Sequence, residues 1–442
     1  MIAAAVVARA ATLLAIDPWF DELYSLYAAS GQPGDAWAAA VADRVHPPGF
    51  YYLLWGWLQL ADPTPLGLRL LPFAGWLATL AALGWMGRQF ALDRTRILAL
   101  VALGAVNPVL FELGGFVRGY SVLVAVVAIA IGAAVQPPRG RAPWLLLAAL
   151  VAATWLHYFA WPVVGAIALG LAWQRRWRDA VLSATVPALA FLPWVIAMAT
   201  SDAQVAAVGQ SLNFVGAPGV VPLIAAPGAL LTAPGAWLTI ETGAMALITS
   251  LILVDAFVEW RDRTTRVLVL LTALLPIAAA FAVSQFTAVG AWGMRYFAVS
   301  IPALLLLLVN YNRIRPRLRT VAIVLIGAAG VVGILGTRTR HTPWREVHAA
   351  ITAGGTTIAH ANEGFVLLPL RYQAVIAGSG LEVREVPGIP APDAAPGWLV
   401  LRPALLPESY QPTDALRAMG RTVSDSFAMG EGWLEVRGWK FE

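Results

Sequence analysis

Two adjacent carboxylates, Asp21 and Glu22, follow the first apolar stretch of the chain. Pro18 precedes a run of Leu and Tyr at helical spacing, which predicts a helix start and places both acids in its first turn. The positive end of the helix dipole favours negative charge there, so one interpretation of the pair is purely structural. The other interpretation is a general base at the end of a cavity that is open to lipid.

Arginines in apolar surroundings are the second feature that could do chemistry. Arg118 follows Glu112 closely. The two predict either an ion pair with each other or a phosphate bound to Arg118, because a guanidinium matches phosphate geometry. Arg295 has no acidic neighbour in sequence, which favours binding of an anionic ligand.

Imidazole and tyrosine side chains stand near the ends of the same apolar stretches. By itself His46 is more typical of a structural histidine, and Tyr51 and Tyr52 also fit the aromatic belt of a membrane interface. The candidate pocket residues are His46, Tyr51, Tyr52, Tyr120, His157, Tyr158 and Tyr296. We expect these side chains, with Glu112, to converge on one face of the membrane.

The composition decides the class of protein that must position these residues. Of the 442 residues, 59% are hydrophobic and only 12% are charged, whereas a soluble domain carries about 25% charged residues. These numbers exclude a soluble enzyme and a disordered chain and predict a polytopic membrane protein. There is no cysteine, which excludes disulfides, a thiolate nucleophile and a cysteine-ligated metal. The net charge is +5. In a polytopic membrane protein such an excess usually comes from basic residues in the cytoplasmic loops, so it does not indicate nucleic-acid binding.

Apolar stretches recur at about the length that crosses a bilayer core of roughly 30 Å. They are 1–16, 67–87, 97–112, 119–135, 143–157, 159–173, 180–198, 236–257, 267–283, 296–310 and 320–336. The first is short and contains Arg9, so either its start is truncated or Arg9 extends towards a lipid headgroup. It lacks the features of a signal peptide, and we count it as a span. The sequence thus predicts an all-α membrane domain of about eleven transmembrane helices.

Orientation follows from arginine clusters, which fall in every second loop and indicate the cytoplasmic side. This alternation requires that 48–61, which begins at Pro48, is an interfacial or re-entrant helix. The amino terminus is then inside and the tail outside, in the bacterial cytoplasmic (inner) membrane. We expect the candidate site to face the periplasm.

The predicted domains are a membrane domain, 1–337, and a polar periplasmic tail, 338–442. The membrane domain includes a first outer loop, 17–66, with juxtamembrane helices. A second outer loop, 199–235, is rich in Gly and Pro and is expected to be a mobile flap. In the tail, β-like runs such as 364–368 and 398–401 alternate with helix-like stretches, which predicts a small α/β domain.

The order and spacing of the candidate residues resemble those of the bacterial family 39 glycosyltransferases. These are GT-C enzymes related to protein O-mannosyltransferases and to the aminoarabinose transferase of lipid A. The matching segments are Asp21-Glu22, His46-Pro47-Pro48-x-x-Tyr51-Tyr52-Leu53-Leu54, Arg69-Leu70-Leu71, Asn107-Pro108, Arg118-x-Tyr120, His157-Tyr158-Phe159, Arg295-Tyr296-Phe297-x-x-x-x-Pro302 and Trp344-Arg345. One segment departs from the pattern, because this chain has Gly115-Phe116-Val117-Arg118 where relatives often have Gln-Glu-Ala-Arg.

The resemblance implies an inverting transferase that uses a sugar linked to a polyprenyl phosphate. Asp21 would take the proton of the acceptor hydroxyl, with Glu22 beside it, while Arg295 and Arg118 hold the lipid phosphate. The partners would be the lipid-linked donor, membrane lipids and an acceptor hydroxyl on a lipid, a glycan or a protein. This scheme requires no metal and no cofactor, although Asp21, Glu22 and Glu112 could offer oxygen ligands to a divalent ion.

A transporter or flippase of a lipid-linked sugar is the alternative function. A transporter would carry charged residues at mid-membrane depth in several spans, and this chain has few acids inside its apolar stretches. A flippase would bind the same lipid phosphate but would not need an acid pair beside the first span. The identity of the sugar and of the acceptor depends on pocket shape.

Overall fold

A computed structural model describes most of the chain. The described residues are 1–13, 17–136, 143–201, 218–232, 240–260, 262–287, 289–310, 320, 323–324, 326–332, 342–361, 363–386, 394–403, 411–430 and 435–442. The chain divides into two compact units. Unit 1 comprises Met1–Ala11, Ala28–Ala61 and Arg69–Thr337, and unit 2 comprises Thr12–Tyr27, Asp62–Leu68 and Arg338–Glu442. The segment with the carboxylate pair therefore belongs to the same unit as the tail.

Helices account for nearly all regular structure before the tail. They are α1 (Ile2–Thr12), α2 (Phe20–Ala29), α3 (Pro33–Asp43), α4 (Gly49–Leu58), α5 (Pro65–Gln89), α6 (Arg94–Val106), α7 (Pro108–Leu113), α8 (Tyr120–Val135), α9 (Trp144–Leu156), α10 (Ala160–Trp173), α11 (Trp177–Thr200), α12 (Val220–Thr232), α13 (Ile240–Glu259), α14 (Arg263–Phe286), α15 (Met294–Phe297) and α16 (Ile301–Val309). A mostly helical chain was predicted, and it is confirmed.

Three of the described helices, α5, α11 and α14, are both long and apolar enough to cross a membrane. Other apolar helices in the described part of the chain, among them α8, α9, α10 and α12, are shorter than 18 residues. One reason is local chemistry: the predicted span 97–112 is divided at Asn107, because Pro108 has no N–H to continue α6. The count of about eleven spans stays a prediction.

The segment 48–61 forms the ten-residue helix α4. At about 1.5 Å per residue its length is roughly half of the bilayer core. Pro48 is its N-cap residue. A helix of this length agrees with the expectation that the segment does not span.

Residues 220–232 of the predicted outer loop 199–235 are helical, and the mobility of this loop stays a prediction. These residues form α12, and its C-terminal half, from Ala225 to Thr232, is buried except at Pro227. The backbone of Gly228 lies so close to the carbonyl of Ala246 on α13 that a Cβ would clash. Gly228, which favours a loop in the sequence, therefore allows α12 and α13 to pack closely. Residues 202–217 and 233–239 lie outside the described part of the chain.

The tail in unit 2 is the predicted small α/β domain. It contains α17 (Trp344–Thr352), β1 (Ile358–Ala361), α18 (Gly364–Ala377), β2 (Glu382–Glu385), β3 (Gly397–Leu401), α19 (Pro412–Ala418), β4 (Val423–Met429) and β5 (Val436–Phe441). The strand order is β2-β1-β3-β5-β4. Strand β1 pairs in parallel with β2 and β3, and β5 is antiparallel to β3 and β4.

One β-like run of the tail is helical. Residues 364–368, predicted as a strand, open α18, which ends at Gly378 in the left-handed conformation. The apolar run continues into a helical pattern whose buried face, including Val366 and Leu370, packs in the core of the tail. A short apolar run alone fits a buried strand or a buried helix equally well. Here the residues that follow the run continue in a helical pattern, and the whole segment is a helix.

Candidate active site

Polar side chains of unit 1 come together where several helices begin or end. His46 lies just before α4, Arg118 and Tyr120 lie at the start of α8, and His157 is the C-cap residue of α9. Arg295 and Tyr296 lie on the short helix α15. We call the six residues His46, Arg118, Tyr120, His157, Arg295 and Tyr296 the arginine–histidine cluster. The cluster brings together six of the residues predicted for the site.

His157 is at the centre of the arginine–histidine cluster and is 5% exposed. Its ring centroid lies 5.1 Å from that of His46, 5.2 Å from that of Tyr120 and 6.0 Å from that of Tyr296. The charges of Arg295 and Arg118 are close enough to interact with the imidazole of His157. Two arginine side chains therefore lie near a buried imidazole ring.

A hydrogen-bond network fixes Arg118 beside this ring. Arg118 is 5% exposed, and its Nη1 donates to the hydroxyl of Tyr51 at 3.2 Å. The Tyr51 hydroxyl donates to Oδ2 of Asp43 at 3.3 Å, and the same oxygen lies 3.9 Å from Nδ1 of His46. The Nε2 of His46 in turn lies 3.4 Å from the hydroxyl of Tyr120. Because Tyr51 is buried as well, the network holds Arg118 and His46 in one arrangement.

Arg295 is partly buried next to Tyr296. Its Nη2 donates to the Tyr296 hydroxyl at 3.2 Å, and the guanidinium carbon lies 5.1 Å from the ring centroid. The Tyr296 ring stacks on Phe159, with centroids 5.6 Å apart and an interplanar angle of 13°. Phe159 thereby connects α15 to the residues that follow His157.

The backbone of Phe159 sets the tautomer of His157. The Phe159 N–H donates to Nδ1 of His157 at 3.1 Å, so Nδ1 is an acceptor and the ring proton of the neutral imidazole lies on Nε2. Nε2 is buried, and no described residue is a hydrogen-bond partner for it. A buried N–H without an acceptor is costly. The arrangement is suited to a ligand that supplies an acceptor oxygen.

The remaining pocket predictions lie at the edge of this region. The Tyr158 hydroxyl accepts from Trp194 at 3.0 Å and donates to the carbonyl of Arg44 at 3.3 Å, so Tyr158 connects the segment before α4 to α11. Tyr52 is partly exposed and is rotated about 100° from Tyr51 around α4. Glu112 is exposed on α7.

Gly115, one of the positions that depart from the family pattern, lies against Arg9. A Cβ at this position would overlap the guanidinium of Arg9, which lies 5.1 Å from the ring centroid of Phe111. Arg9 is only 6% exposed, so the charge expected to reach a headgroup is packed against α7. A larger side chain at 115 would displace it.

The two carboxylates of unit 2 have different surroundings. Glu22 is 2% exposed, and its Oε2 accepts the backbone N–H of Trp19 at 3.2 Å. This bond satisfies a donor at the start of α2, as in a capping box. Asp21 is partly exposed, and its carbonyl accepts from Ser25. The structural interpretation of the pair thus applies to Glu22, and Asp21 remains the candidate base. Within the described residues, no group of three acidic or imidazole side chains could hold a metal ion.

Sequence reasoning missed Asp43 and Asp17. Asp43 contacts the arginine–histidine cluster, and the only signal for it is a carboxylate that closely precedes His46. The carboxylate of Asp17 is bound by Arg345 in the tail. The sequence signals for this contact are Asp17 next to Pro18 and the Trp344-Arg345 pair that opens the tail.

Comparison with known proteins gives matches among solved structures only. No protein-family model and no curated protein matches the chain. The chain is similar to the crystal structure of ArnT from Cupriavidus metallidurans bound to undecaprenyl phosphate, with 13% identity, coverage of 99% of this chain and 97% of that chain, and a TM-score of 0.49. For ArnT from the same organism in the apo state the identity is 12%, the coverage 99% and 96%, and the TM-score 0.48. Both structures contain a lipid A aminoarabinose transferase of the GT-C family, one of the enzymes that the sequence resemblance includes.

Proposed function

We propose that the protein is an inverting glycosyltransferase of the cytoplasmic membrane. It moves a sugar from a polyprenyl-phosphate donor to an acceptor hydroxyl at the periplasmic face. The observation that carries the proposal is the buried Nε2–H of His157, which has no acceptor among the described residues and has Arg118 and Arg295 nearby. One phosphate group supplies both the acceptor oxygens and the negative charge that this arrangement favours.

The two guanidinium groups of the cluster support a phosphate. Arg118 and Arg295 bring two positive charges, and Asp43, a carboxylate that contacts the cluster, is engaged by Tyr51 and lies near His46. In a partly dry site, fixed cations and N–H donors stabilise an oxyanion more strongly than they do in water. The guanidinium groups are suited to phosphate because their donors match its oxygen geometry.

The proposed reaction breaks one bond and forms one. The acceptor oxygen attacks C1 of the sugar from the face opposite the phosphate, and the C1–O bond to the phosphate breaks. The electron pair of that bond goes to the phosphate, where Arg118, Arg295 and His157 stabilise the added charge. Asp21 takes the proton of the acceptor hydroxyl, and the configuration at C1 inverts.

The alternative, a transporter or flippase of a lipid-linked sugar, uses the same phosphate contacts but breaks no bond. Glu22 has a capping role in either case, so Asp21 alone is the acid that the transferase hypothesis requires as a base. Both hypotheses predict lipid-phosphate binding. Only the transferase predicts that donor is consumed.

Binding of undecaprenyl phosphate to the purified protein in nanodiscs tests the phosphate site. This probe contains the leaving group whatever the sugar is, and undecaprenol is the control that lacks the phosphate. We expect undecaprenyl phosphate to bind at least 10-fold more tightly than undecaprenol. A 10-fold difference corresponds to about 1.4 kcal/mol, which one hydrogen bond to a charged group can supply. Equal binding of the two lipids would exclude the phosphate site. Release of undecaprenyl phosphate from lipid-linked sugars extracted from bacterial membranes, followed by mass spectrometry, then separates transfer from transport.

A further inference from the structure

The carboxylate of Asp17 binds the start of the first helix of the tail. Asp17 is 8% exposed, and its Oδ2 accepts the backbone N–H of Arg345 at 2.8 Å. Its Oδ1 accepts from Nε of the Arg345 side chain. Arg345 lies in the first turn of α17, where backbone N–H groups have no acceptor within the helix and the dipole favours an anion. One carboxylate thus joins two segments that are far apart in sequence.

A second contact follows at Phe20, the first residue of α2. The Phe20 ring lies 4.2 Å from that of Phe365, centroid to centroid, and the Arg402 guanidinium lies 4.8 Å from the Phe365 ring. A Cβ on Gly364 would lie 2.9 Å from Cε2 of Phe20. The tail therefore packs against the first turn of α2 without room for a larger side chain at 364.

These two contacts flank the short segment that leads directly into Asp21. We propose that the tail positions the Asp21 carboxylate for catalysis, and that Asp17, Arg345, Phe20 and Gly364 are positioning residues for it. The proposal rests on the proposed function, in which Asp21 is the base, and it assigns a role to the C-terminal domain. Asp17 fixes where the chain enters α2, and Phe20 fixes the rotation of its first turn. Both limit the directions in which Asp21 can point.

Variants of the Asp17–Arg345 contact separate positioning from folding. Arg345→Gln keeps the backbone N–H bond and removes the charge, Asp17→Ala removes both bonds, and Arg345→Lys keeps the charge. Because a misplacement of about 1 Å costs about 100-fold in rate, we expect kcat to fall by roughly 10- to 100-fold in Asp17→Ala. We expect a smaller fall in Arg345→Gln and partial recovery in Arg345→Lys. The affinity for undecaprenyl phosphate should stay within about 2-fold of wild type, since it depends on unit 1.

The matched control is Arg417→Gln, which removes an exposed ion pair with Asp414 in the same domain. We expect it to leave kcat unchanged, as exposed pairs contribute little. If it lowers kcat as much as Arg345→Gln does, the effect belongs to the stability of the tail in general, and the positioning proposal is wrong.

Gly364→Ala tests the second contact by steric means. The added methyl group meets Phe20, so kcat should fall while lipid-phosphate affinity is retained. The double variant Gly364→Ala/Phe20→Leu should recover part of the lost activity, because leucine gives back the space although the ring contact with Phe365 is lost. Gly354→Ala is the control, since its Cβ approaches only the flexible end of Lys440. A double variant as slow as the single one would contradict the contact.

The outcomes distinguish this proposal from the proposed function. If the wild-type protein binds undecaprenyl phosphate no better than undecaprenol and transfers no sugar, the proposed function itself is wrong. If Asp21→Asn transfers sugar at the wild-type rate, Asp21 is not the base, and the positioning proposal is overturned with that assignment. If Asp21→Asn is inactive but Asp17→Ala, Arg345→Gln and Gly364→Ala keep the wild-type kcat, only the positioning proposal is overturned. It is also overturned if these variants lose lipid-phosphate affinity and kcat to the same extent, because that pattern indicates a general structural defect.

Discussion

The backbone N–H of Phe159 donates to Nδ1 of His157, and it thereby places the imidazole proton on the buried Nε2 atom. A buried neutral N–H thus lies in a cluster that also contains Arg118 and Arg295. Mixed neutral and charged donors suit a phosphate, whose several oxygens accept more than one hydrogen bond. The loop between α9 and α10 therefore determines the chemistry that His157 offers.

Replacement of His157 tests this tautomer. The amide of His157→Gln reaches the position of Nε2 and keeps a donor, whereas the shorter His157→Asn reaches only the position of Nδ1. A hydrogen bond to a charged group contributes about 1.5–3 kcal/mol. We therefore expect His157→Asn to lose that much affinity for undecaprenyl phosphate and His157→Gln to lose much less. Calorimetry or native mass spectrometry measures both, and equal affinities in the two variants would contradict a donor role for Nε2.

Arg295→Ala should weaken binding of the lipid phosphate by about 2–5 kcal/mol, the usual result of removing one member of a buried charge pair. Arg295→Lys should recover only part of this, because lysine lacks the planar fork of donors. The side chain contacts Tyr296, so Tyr296→Phe is the control that keeps the ring and removes only the hydroxyl. An alanine variant with wild-type affinity would exclude Arg295 from the phosphate site.

The sequence predicts the general fold because hydrophobic composition and helical periodicity are local properties. The helices from α5 to α11 occupy the predicted apolar stretches, and the tail is α/β. Residues 220–232 of the predicted loop 199–235 are helical instead, since Gly228, which favours a loop in the sequence, allows a close helix contact. Whether a glycine belongs to a loop or allows close packing of two helices depends on the second helix, whose position the local sequence does not show.

The candidate site was predictable in its residue types but not in its geometry. His46, Arg118 and His157 were proposed from their places at the ends of apolar stretches, and the structure brings them together. Asp43 was missed, because its role depends on a hydrogen bond through Tyr51. The binding of Asp17 by Arg345 was missed for a similar reason, since nothing local in the sequence pairs a first-loop acid with a tail arginine.

The stability of the tail should decrease below neutral pH because of His360 on β1. Burial lowers the pKa of His360, and the charges of Arg384 and Arg421 act in the same direction, against a hydrogen bond to the Ala395 carbonyl and the charge of Glu382. The unfolded chain then takes up a proton first, near the ordinary pKa of about 6.5. The contribution to stability is present above that pH and is lost as the pH falls towards the folded-state pKa.

Thermal unfolding of the full chain in detergent at several pH values measures this effect. We expect the unfolding temperature of the wild-type tail to fall between about pH 7 and pH 5, and His360→Gln to reduce the fall. Burial also lowers the pKa of His348 on α17. In the double variant His360→Gln/His348→Gln the unfolding temperature should therefore fall even less with pH. The same pH dependence in wild type and in both variants would exclude these histidines as its source.

Asp21 and Glu22 should give opposite results when each is replaced by its amide. A sugar hydroxyl is a poor nucleophile, and a general base contributes about 10²- to 10⁴-fold in rate, so Asp21→Asn should lose that much turnover while its affinity for undecaprenyl phosphate stays near that of wild type. Glu22 caps α2 through the Trp19 N–H, and an amide oxygen can accept the same bond, so Glu22→Gln should retain most of the stability and most of the turnover. Single-turnover rates and unfolding temperatures of both variants decide between the roles. The assignment is reversed if Glu22→Gln is inactive while Asp21→Asn keeps more than about a tenth of the wild-type rate.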